Sequence, residues 1–462
     1  TSTDTSYVNI GGQWYEQTVQ KAYHTDNTAA HLLMTQQTAL APVAVSHGTY
    51  GNGLRWTTLQ VGPGYTITSH TDHFFDTAAT VTSVDDSRTG VSPDQTSLSL
   101  SGRMVETTSF GSGAPATVVY DSAGRVQSET TPLGATTRYF YNNAGQLETR
   151  RDHLNRETSY EYFPSTHLAA GKMKKTTDAT GGTTEYTYNE RGDITEVTGT
   201  ATQRMVYEYN SYGERTGLRT WRSTGGTGDL TLWVYDPATG LLKEKIYADG
   251  KKTIYTYDSA GRVYQRTNAR NLITTYNYNE YGENITITYP AGTANVTRTY
   301  DRLGREKTVN DASGLRTVTY HAQNGMADLI SYNNSGALAN RAIDYTFDAS
   351  LRPSGYTGTG LSAVSYGYDT HGRLLQVTAD ALSHTYSYLP GTSIQSQRNV
   401  QQSGSQRLAE TRIVDRMGRL SNIRTVNPVG AVMSMHGYEF DALDRRTEAL
   451  REDGRRWLYG YN

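Results

Sequence analysis

Apolar and polar residues alternate with a period of two in short runs along this chain, and many runs end on the same kind of phrase. In Thr253-Ile254-Tyr255-Thr256-Tyr257 the two tyrosines share a face and Thr256 takes the other, the pattern of a half-buried β-strand. The next residues are Asp258-Ser259-Ala260-Gly261-Arg262. An Asp there can bond turn amides through its side chain, and a Gly can take the positive φ that a tight turn demands. Alternation then resumes through Val263, Gln265 and Thr267, so the unit reads as a hairpin with a short loop and a glycine bulge.

The phrase recurs. Tyr120-Asp121-Ser122-Ala123-Gly124-Arg125 is a near copy, and looser copies begin at Tyr141, Tyr188, Tyr209, Tyr278, Tyr300, Tyr368, Val414 and Phe440. Most aromatic anchors lie 20 to 22 residues apart, with several intervals of 26 or 27. A fixed period near 20 residues marks a repeat architecture, in which each unit buries its apolar face only against its neighbours. A second turn falls about half a period later, as in Asp178-Ala179-Thr180-Gly181-Gly182, Ala248-Asp249-Gly250 and Asn310-Asp311-Ala312-Ser313-Gly314. The longer intervals, Tyr162 to Tyr188, Tyr209 to Tyr235 and Tyr320 to Phe347, predict longer loops, with Arg222 to Gly228 carrying extra residues in one of them.

The expected fold is all-β: a long strip of antiparallel hairpins, with Tyr-x-Tyr faces stacked in ladders. Because sheets twist with a fixed hand, so long a strip should coil into a spiral or shell. Only Glu16 to Lys21 and Thr28 to Leu33 show a helical period. Residues 1–105 lack the clear phrase and read as a divergent β-rich segment or cap, whereas 106–462 form the array. Tyr461-Asn462 opens another unit, so the array is expected to be truncated there, as part of a longer polypeptide.

Composition narrows the class. Only 35% of residues are hydrophobic, and 36 Tyr supply much of the apolar area. Forty-five Gly against 11 Pro suit many tight turns. The net charge of −2, with both signs interspersed, gives no basic patch for nucleic acid. With no Cys, thiolate metal sites and disulfide scaffolds are excluded, and an extracellular bacterial protein is favoured over a cytosolic one. No run of apolar residues is long enough for a helical membrane span.

These residues resemble the Rhs/YD-repeat family, whose Tyr-Asp-x-x-Gly-Arg phrase is met nearly verbatim at four places. They are Tyr120, Asp121 and Gly124; Tyr257, Asp258 and Gly261; Tyr300, Asp301 and Gly304; and Tyr368, Asp369 and Gly372. Phe440-Asp441-Ala442-Leu443-Asp444-Arg445 departs by placing Asp at the Gly position. The resemblance implies a strip of hairpins wound into a shell, as in toxin-complex cocoons, wall-associated proteins and teneurins. Its best-known role is encapsulation of a C-terminal cargo or toxin domain. No counterpart of that family's self-cleavage segment and no toxin domain is found in the sequence.

Candidate chemistry weighs little against this. His70-Thr71-Asp72-His73 is the densest His cluster, but on a strand His73 points away from His70 and Asp72, so a polar strand end is the better reading than a metal site. Calcium at the turn Asp is disfavoured because the position is often Asn (Asn142, Asn189, Asn210, Asn279) and one acid per turn is a poor cage. The repeat arginines Arg125, Arg262, Arg305, Arg373 and Arg419 are expected to reach a neighbouring Asp or cover a Tyr face. A Tyr-plus-His or Tyr-plus-Arg lyase site is the enzymatic alternative. With so many tyrosines, their closeness to some His carries little information. The expectation is therefore a secreted or cell-surface structural protein without catalytic residues, cofactor or metal. Its partners would be the rest of its own polypeptide or a cargo domain, identical chains joined end to end, or a glycan or cell-surface ligand. An adhesin or self-assembling filament, and a polysaccharide lyase, stand as alternatives.

Overall fold

The structure, a computed structural model, describes all residues except 1, 11–12, 24–29, 48–50, 63–64, 76, 78, 87–94, 101–103, 110–112, 223–224, 323–324, 334–335, 350 and 462. Among the described residues there are forty β-strands and no helix. The chain divides into two compact units. One comprises residues 1–139, 318–331 and 341–462, the other residues 140–317 and 332–340.

In the second unit the hairpins follow one another along the chain, each strand antiparallel to the next. Lys252–Tyr257 pairs with Val263–Thr267, which pairs with Ile273–Tyr278, which pairs with Asn284–Thr288. Each hairpin carries a register shift at its aromatic anchor. Thr256 opposes Gln265 while Tyr257 opposes Val263, so Tyr264 is an extra residue on the returning strand. The same shift stands before Tyr188, Tyr209, Tyr235, Tyr278 and Tyr300. A bulge repeated at one position raises the local right-handed twist in every repeat. The extra residues of the longer intervals lie at the strand ends, in residues 163–172 and 221–228.

The first unit begins with longer strands. Gln13–Tyr23 spans 11 residues and Gly51–Gly62 spans 12, against 5 for Val126–Thr130. Ala30–Ala39 and Val43–His47 pair with opposite ends of the same edge of Gly51–Gly62, and the break between them falls around Pro42. The six-residue helical periods at Glu16 to Lys21 and Thr28 to Leu33 are overridden. Gln13–Tyr23 is a strand paired on both sides, and Ala30–Ala39 is its partner; Thr28 and Ala29 lie outside the described residues. Six residues cannot nucleate a helix against two full ladders. Later in this unit the repeated hairpins resume. A tight approach ties distant parts of the unit together, because Gly113 lies so close to Pro390 and Gly391 that a Cβ there would stand 2.7 Å from the Gly391 backbone.

The buried apolar core is thin. Tyr15, Ala39, Phe74, Ala79, Ala135, Val400 and Ala449 are buried in the first unit, and Ala169, Val197 and Val309 in the second. Strands such as Val263–Thr267 alternate half-buried with exposed residues. The half-buried tyrosine face therefore gains its cover mainly from side chains of adjoining strands.

Gly199 shows how tightly adjoining hairpins approach. Its φ is 140°, and a Cβ would overlap the Thr183 carbonyl oxygen. Gly367 has only Gln376 Cβ within reach, at 3.5 Å. Gly199→Ala should destabilise the protein by about 2 kcal/mol or more, whereas Gly367→Ala should change stability by about 0.5 kcal/mol or less, as read from denaturant midpoints.

Candidate functional site

The repeated phrase folds into one turn, fixed by its first and last residues. At Asp369 the backbone N–H donates to the Arg373 carbonyl at 2.8 Å, and the Gly372 N–H donates to the Asp369 carbonyl at 3.0 Å. One carboxylate oxygen accepts from the N–H groups of His371 and Arg373, both at 2.9 Å, and the other accepts from Arg373 Nε at 2.7 Å. The same set recurs at Asp121 with Arg125, Asp258 with Arg262 and Asp301 with Arg305. Gly124, Gly261, Gly304 and Gly372 have φ of 76°, 76°, 74° and 77°, the left-handed conformation that glycine adopts without strain. Among the described residues eight such Asp–Arg pairs form, all four residues apart.

The anchoring tyrosine then reaches back one hairpin. Tyr257 Oη donates to the Leu242 carbonyl at 2.6 Å, Tyr300 Oη to that of Asn284 at 2.9 Å, and Tyr368 Oη to that of Pro353 at 2.6 Å. Tyr120 ends the strand Ala116–Tyr120 opposite Val126. Burial raises the phenol pKa of Tyr257, Tyr300 and Tyr368 above the ordinary value, keeping the hydroxyl a donor. The clamped guanidinium also covers the aromatic ring of the following hairpin. Arg262 lies 4.7 Å from the centre of Tyr278, Arg352 4.5 Å from Tyr368, Arg373 4.6 Å from Tyr388, and Arg419 4.6 Å from Phe440. At these turns the Asp aims an Arg, and the Arg plates the next ring. Some arginines add a bond to the next turn, Arg373 Nη1 donating to the Thr392 carbonyl at 2.7 Å.

Two members of this set lack the glycine of the phrase. Asp152 clamps Arg156 behind Arg151 instead of an aromatic, with Asn155 at φ 60° in the glycine place. Asp348 clamps Arg352 with Leu351 at φ 58°. The spacing Asp-x-x-x-Arg alone would have found both. Asp444 likewise takes φ 62° where glycine is usual.

The Asn copies differ in chemistry as well as in charge. Asn142 Nδ2 donates to the Gln146 side chain, Asn189 to Asp193, Asn210 to Glu214 and Asn279 to Glu283. Where the first residue is an acceptor the fifth is a donor, and where the first can donate the fifth accepts. This swap is readable in the sequence as Asp with Arg but Asn with Glu, Asp or Gln.

The His70 cluster sits on the strand Tyr65–Phe74 and is occupied by structural bonds. Asp72, 7% exposed, takes a two-pronged bond from Arg55 at 2.7 and 2.8 Å. His70 Nδ1 lies 2.9 Å from Thr57 Oγ1, and His73 Nδ1 lies 3.1 Å from Thr80 Oγ1. Among the described residues no three His, Asp or Glu side chains converge as a metal would need. Grooves of about 210, 530 and 510 Å³ open beside Thr378, Trp233 and Trp221, and none of the three is lined by a His. No helix among the described residues is long and apolar enough to cross a membrane.

Fold and turn together define a protein of repeated, laterally stitched β-hairpins. The teneurin YD-shell family matches residues 219–413 and the RHS repeat matches residues 120–155. Over those residues the chain carries repeats of the YD and RHS type, as its turn phrases imply. No curated protein matches its sequence. Among solved structures, the crystal structure of TcdB2-TccC3 is similar with a TM-score of 0.64 and 12% identity over 95% of this chain. TcdB2-TccC3-Cdc42 and TcdB2-TccC3-TEV are similar with TM-scores of 0.63, at 12% and 13% identity over 95% and 98% of this chain. The chain spans only 28%, 28% and 27% of the length of those three chains. The likeness is one of fold, and the long antiparallel hairpin strip is shared.

Two outcomes follow from the clamp. Asp369→Asn faces the Arg373 donors with an amide and should cost about 1–2 kcal/mol in a denaturant titration, and adding Arg373→Glu should restore part of the loss. Burial works against the charged forms of Asp301, Asp369 and Asp415, but the bonds from Arg305, Arg373 and Arg419 outweigh it and hold each carboxyl below its ordinary value. A carboxyl depressed in the folded state stabilises above its unfolded pKa of about 4 and loses that contribution as pH falls. Stability should thus be level above about pH 5 and drop on acidification below about pH 4, measured as the melting temperature in a pH series at fixed salt.

Proposed function

We propose that this chain is an architectural part of an extracellular, bacterial-type YD-repeat protein, a wall of β-hairpins that encloses a cargo belonging to the same longer polypeptide. One observation carries the reading. In the Asp–Arg repeats the acid, the cation and the phenol are engaged in joining the repeat to itself and to the next, at Tyr257, Asp258 and Arg262 as at Tyr368, Asp369 and Arg373. Chemistry distributed this evenly suits a wall more than a cleft, where different residue types must converge. The match to a YD-shell family and the fold shared with TcdB2-TccC3 support the same role.

On this reading the signature residues Tyr120, Asp121, Gly124, Tyr257, Asp258, Gly261, Tyr300, Asp301, Gly304, Tyr368, Asp369 and Gly372 are structural, and the chain is not an enzyme. Residues 1–105 serve as a divergent β-rich cap on the array at 106–462. Their longer strands and the cross-strand Arg55–Asp72 pair, in place of a turn clamp, support this. Secretion or surface display fits the absence of cysteine.

Electron microscopy of the purified chain at several concentrations tests the proposal. Discrete curved or hollow particles at every concentration are the expected result. Filaments that lengthen with concentration would replace enclosure with self-assembly as the function.

A further inference from the structure

Many hairpins carry a second aromatic two residues before the anchor, on the same face, as Tyr255 stands before Tyr257. In most of them the residue opposite this second ring is not aromatic. Val197 lies opposite Tyr186, Arg266 opposite Tyr255 and Ile287 opposite Tyr276. At Tyr345 the opposing residue is itself a tyrosine, Tyr356. Tyr356 stands on Pro353–Gly358, and the next strand, Leu361–Tyr368, brings a third ring to its other side. There Tyr356 opposes Val364, and Tyr366 lies two residues further along the same face.

The three rings form a cluster across three neighbouring strands of the first unit. Tyr345 and Tyr356 have ring centres 6.3 Å apart with planes tilted by 58°, and Tyr356 and Tyr366 have centres 6.5 Å apart with a tilt of 52°. Directly opposed residues of an antiparallel pair hold their Cβ atoms roughly 5 Å apart, so ring edges can meet by rotation about side-chain bonds while the ladders stay paired. All three tyrosines are half-buried, fixed by their strands yet open to a small molecule from solvent. Burial raises the Tyr366 phenol above its ordinary value, and the phenols of Tyr356 and Tyr345 add to the rise, so the hydroxyl ends are near one another as well as the rings. The anchor beside them is differently placed: Tyr368 Oη donates to the Pro353 carbonyl at 2.6 Å.

With no cysteine in the chain, a covalent tie between hairpins has to come from another side chain. Phenols supply one. A one-electron oxidant, such as a peroxidase acting with hydrogen peroxide, removes an electron and a proton from each of two tyrosines. The two phenoxyl radicals join through the ring carbons next to the hydroxyl-bearing carbons, and the hydrogens on those carbons move to the oxygens, restoring both phenols. Each tyrosine has then lost one hydrogen, and one peroxide has been reduced to two waters.

We propose that Tyr345, Tyr356 and Tyr366 form an oxidative cross-linking site, in which the central Tyr356 couples by a carbon–carbon bond to the tyrosine on one side or the other. The link to Tyr345 lies within one hairpin, and the link to Tyr366 fastens that hairpin to the next. The second strand pair has the greater need of a tie, because its ladder is interrupted between Tyr356 and Gly358. The site rests on local geometry and stands whether or not the chain encloses a cargo.

Treatment of the dilute, intact chain with a peroxidase and limiting hydrogen peroxide tests the proposal. The expected result is dityrosine fluorescence in the monomer. Cleavage before aspartates separates Tyr345, in residues 344–347, from Tyr356 and Tyr366, in residues 348–368. In mass spectra the Tyr345 link therefore joins the two fragments, whereas the Tyr366 link leaves the second fragment two hydrogens lighter. Tyr356→Phe keeps the ring but cannot form a phenoxyl radical, and should lose both products with its melting curve unchanged. Tyr255→Phe, whose ring lies opposite Arg266, should leave the yield as it was. A Tyr356→Phe chain that couples as well as the unaltered one would overturn the proposal. So would links in the unaltered chain that map first to other tyrosines, such as Tyr212 and Tyr281, which are 81% and 79% exposed and free to join separate molecules.

Discussion

An aspartate that aims an arginine at the next hairpin's aromatic ring is the interaction on which the array depends. The guanidinium is planar and carries several donors, so one edge can be fixed by Asp258 while its face covers Tyr278. A lysine could pair with the acid but could not be oriented by it in the same way. Each contact is modest, a cation–π contact being worth roughly 0.5–1 kcal/mol at an exposed site. Repetition changes its meaning. In a linear array, stability is a sum of unit terms and nearest-neighbour terms, so a small coupling at every joint decides whether hairpins hold together.

The thin core explains why the coupling must be polar. Few apolar side chains are buried in either unit, and most strands keep their inward residues only half-covered. Leucine or valine in such a sheet would leave much of its area wet. Tyrosine covers a wide patch of neighbouring strand, and its hydroxyl finds a backbone carbonyl one hairpin back, as Tyr257 does at Leu242. The first strands of the chain reach the same end by another route, with long ladders and a buried carboxylate, Asp72, bridged across strands by Arg55.

Swapping donor and acceptor between the ends of the turn lets the sequence vary without losing the fold. Asn279 with Glu283 closes the turn as Asp258 with Arg262 does, but it forfeits the plate on the next ring. Local turn formation and coupling between hairpins are thus separable, and the chain uses the two turn types at different joints.

Sequence alone determined the all-β class, the hairpin unit, the places of the turns and the family, because these rest on period-two alternation and on Asp and Gly chemistry within six residues. The longer loops at 163–172 and 221–228 were legible for the same reason, as changes of spacing. It misled at Glu16 to Lys21, where a short helical period lies inside a two-sided ladder, and it hid the turn at Asp152, which has no aromatic before it and Asn155 in the glycine place. Only the tertiary structure decided that the arginine serves its own turn and the next ring together, and which carbonyl each tyrosine reaches. Those choices depend on register between hairpins, and register is set by bulges such as that at Tyr264 and by neighbours about 15 residues away. Local pattern fixes how each turn closes; the spacing of one hairpin against the next, a property of the assembled sheet, fixes what that turn can hold.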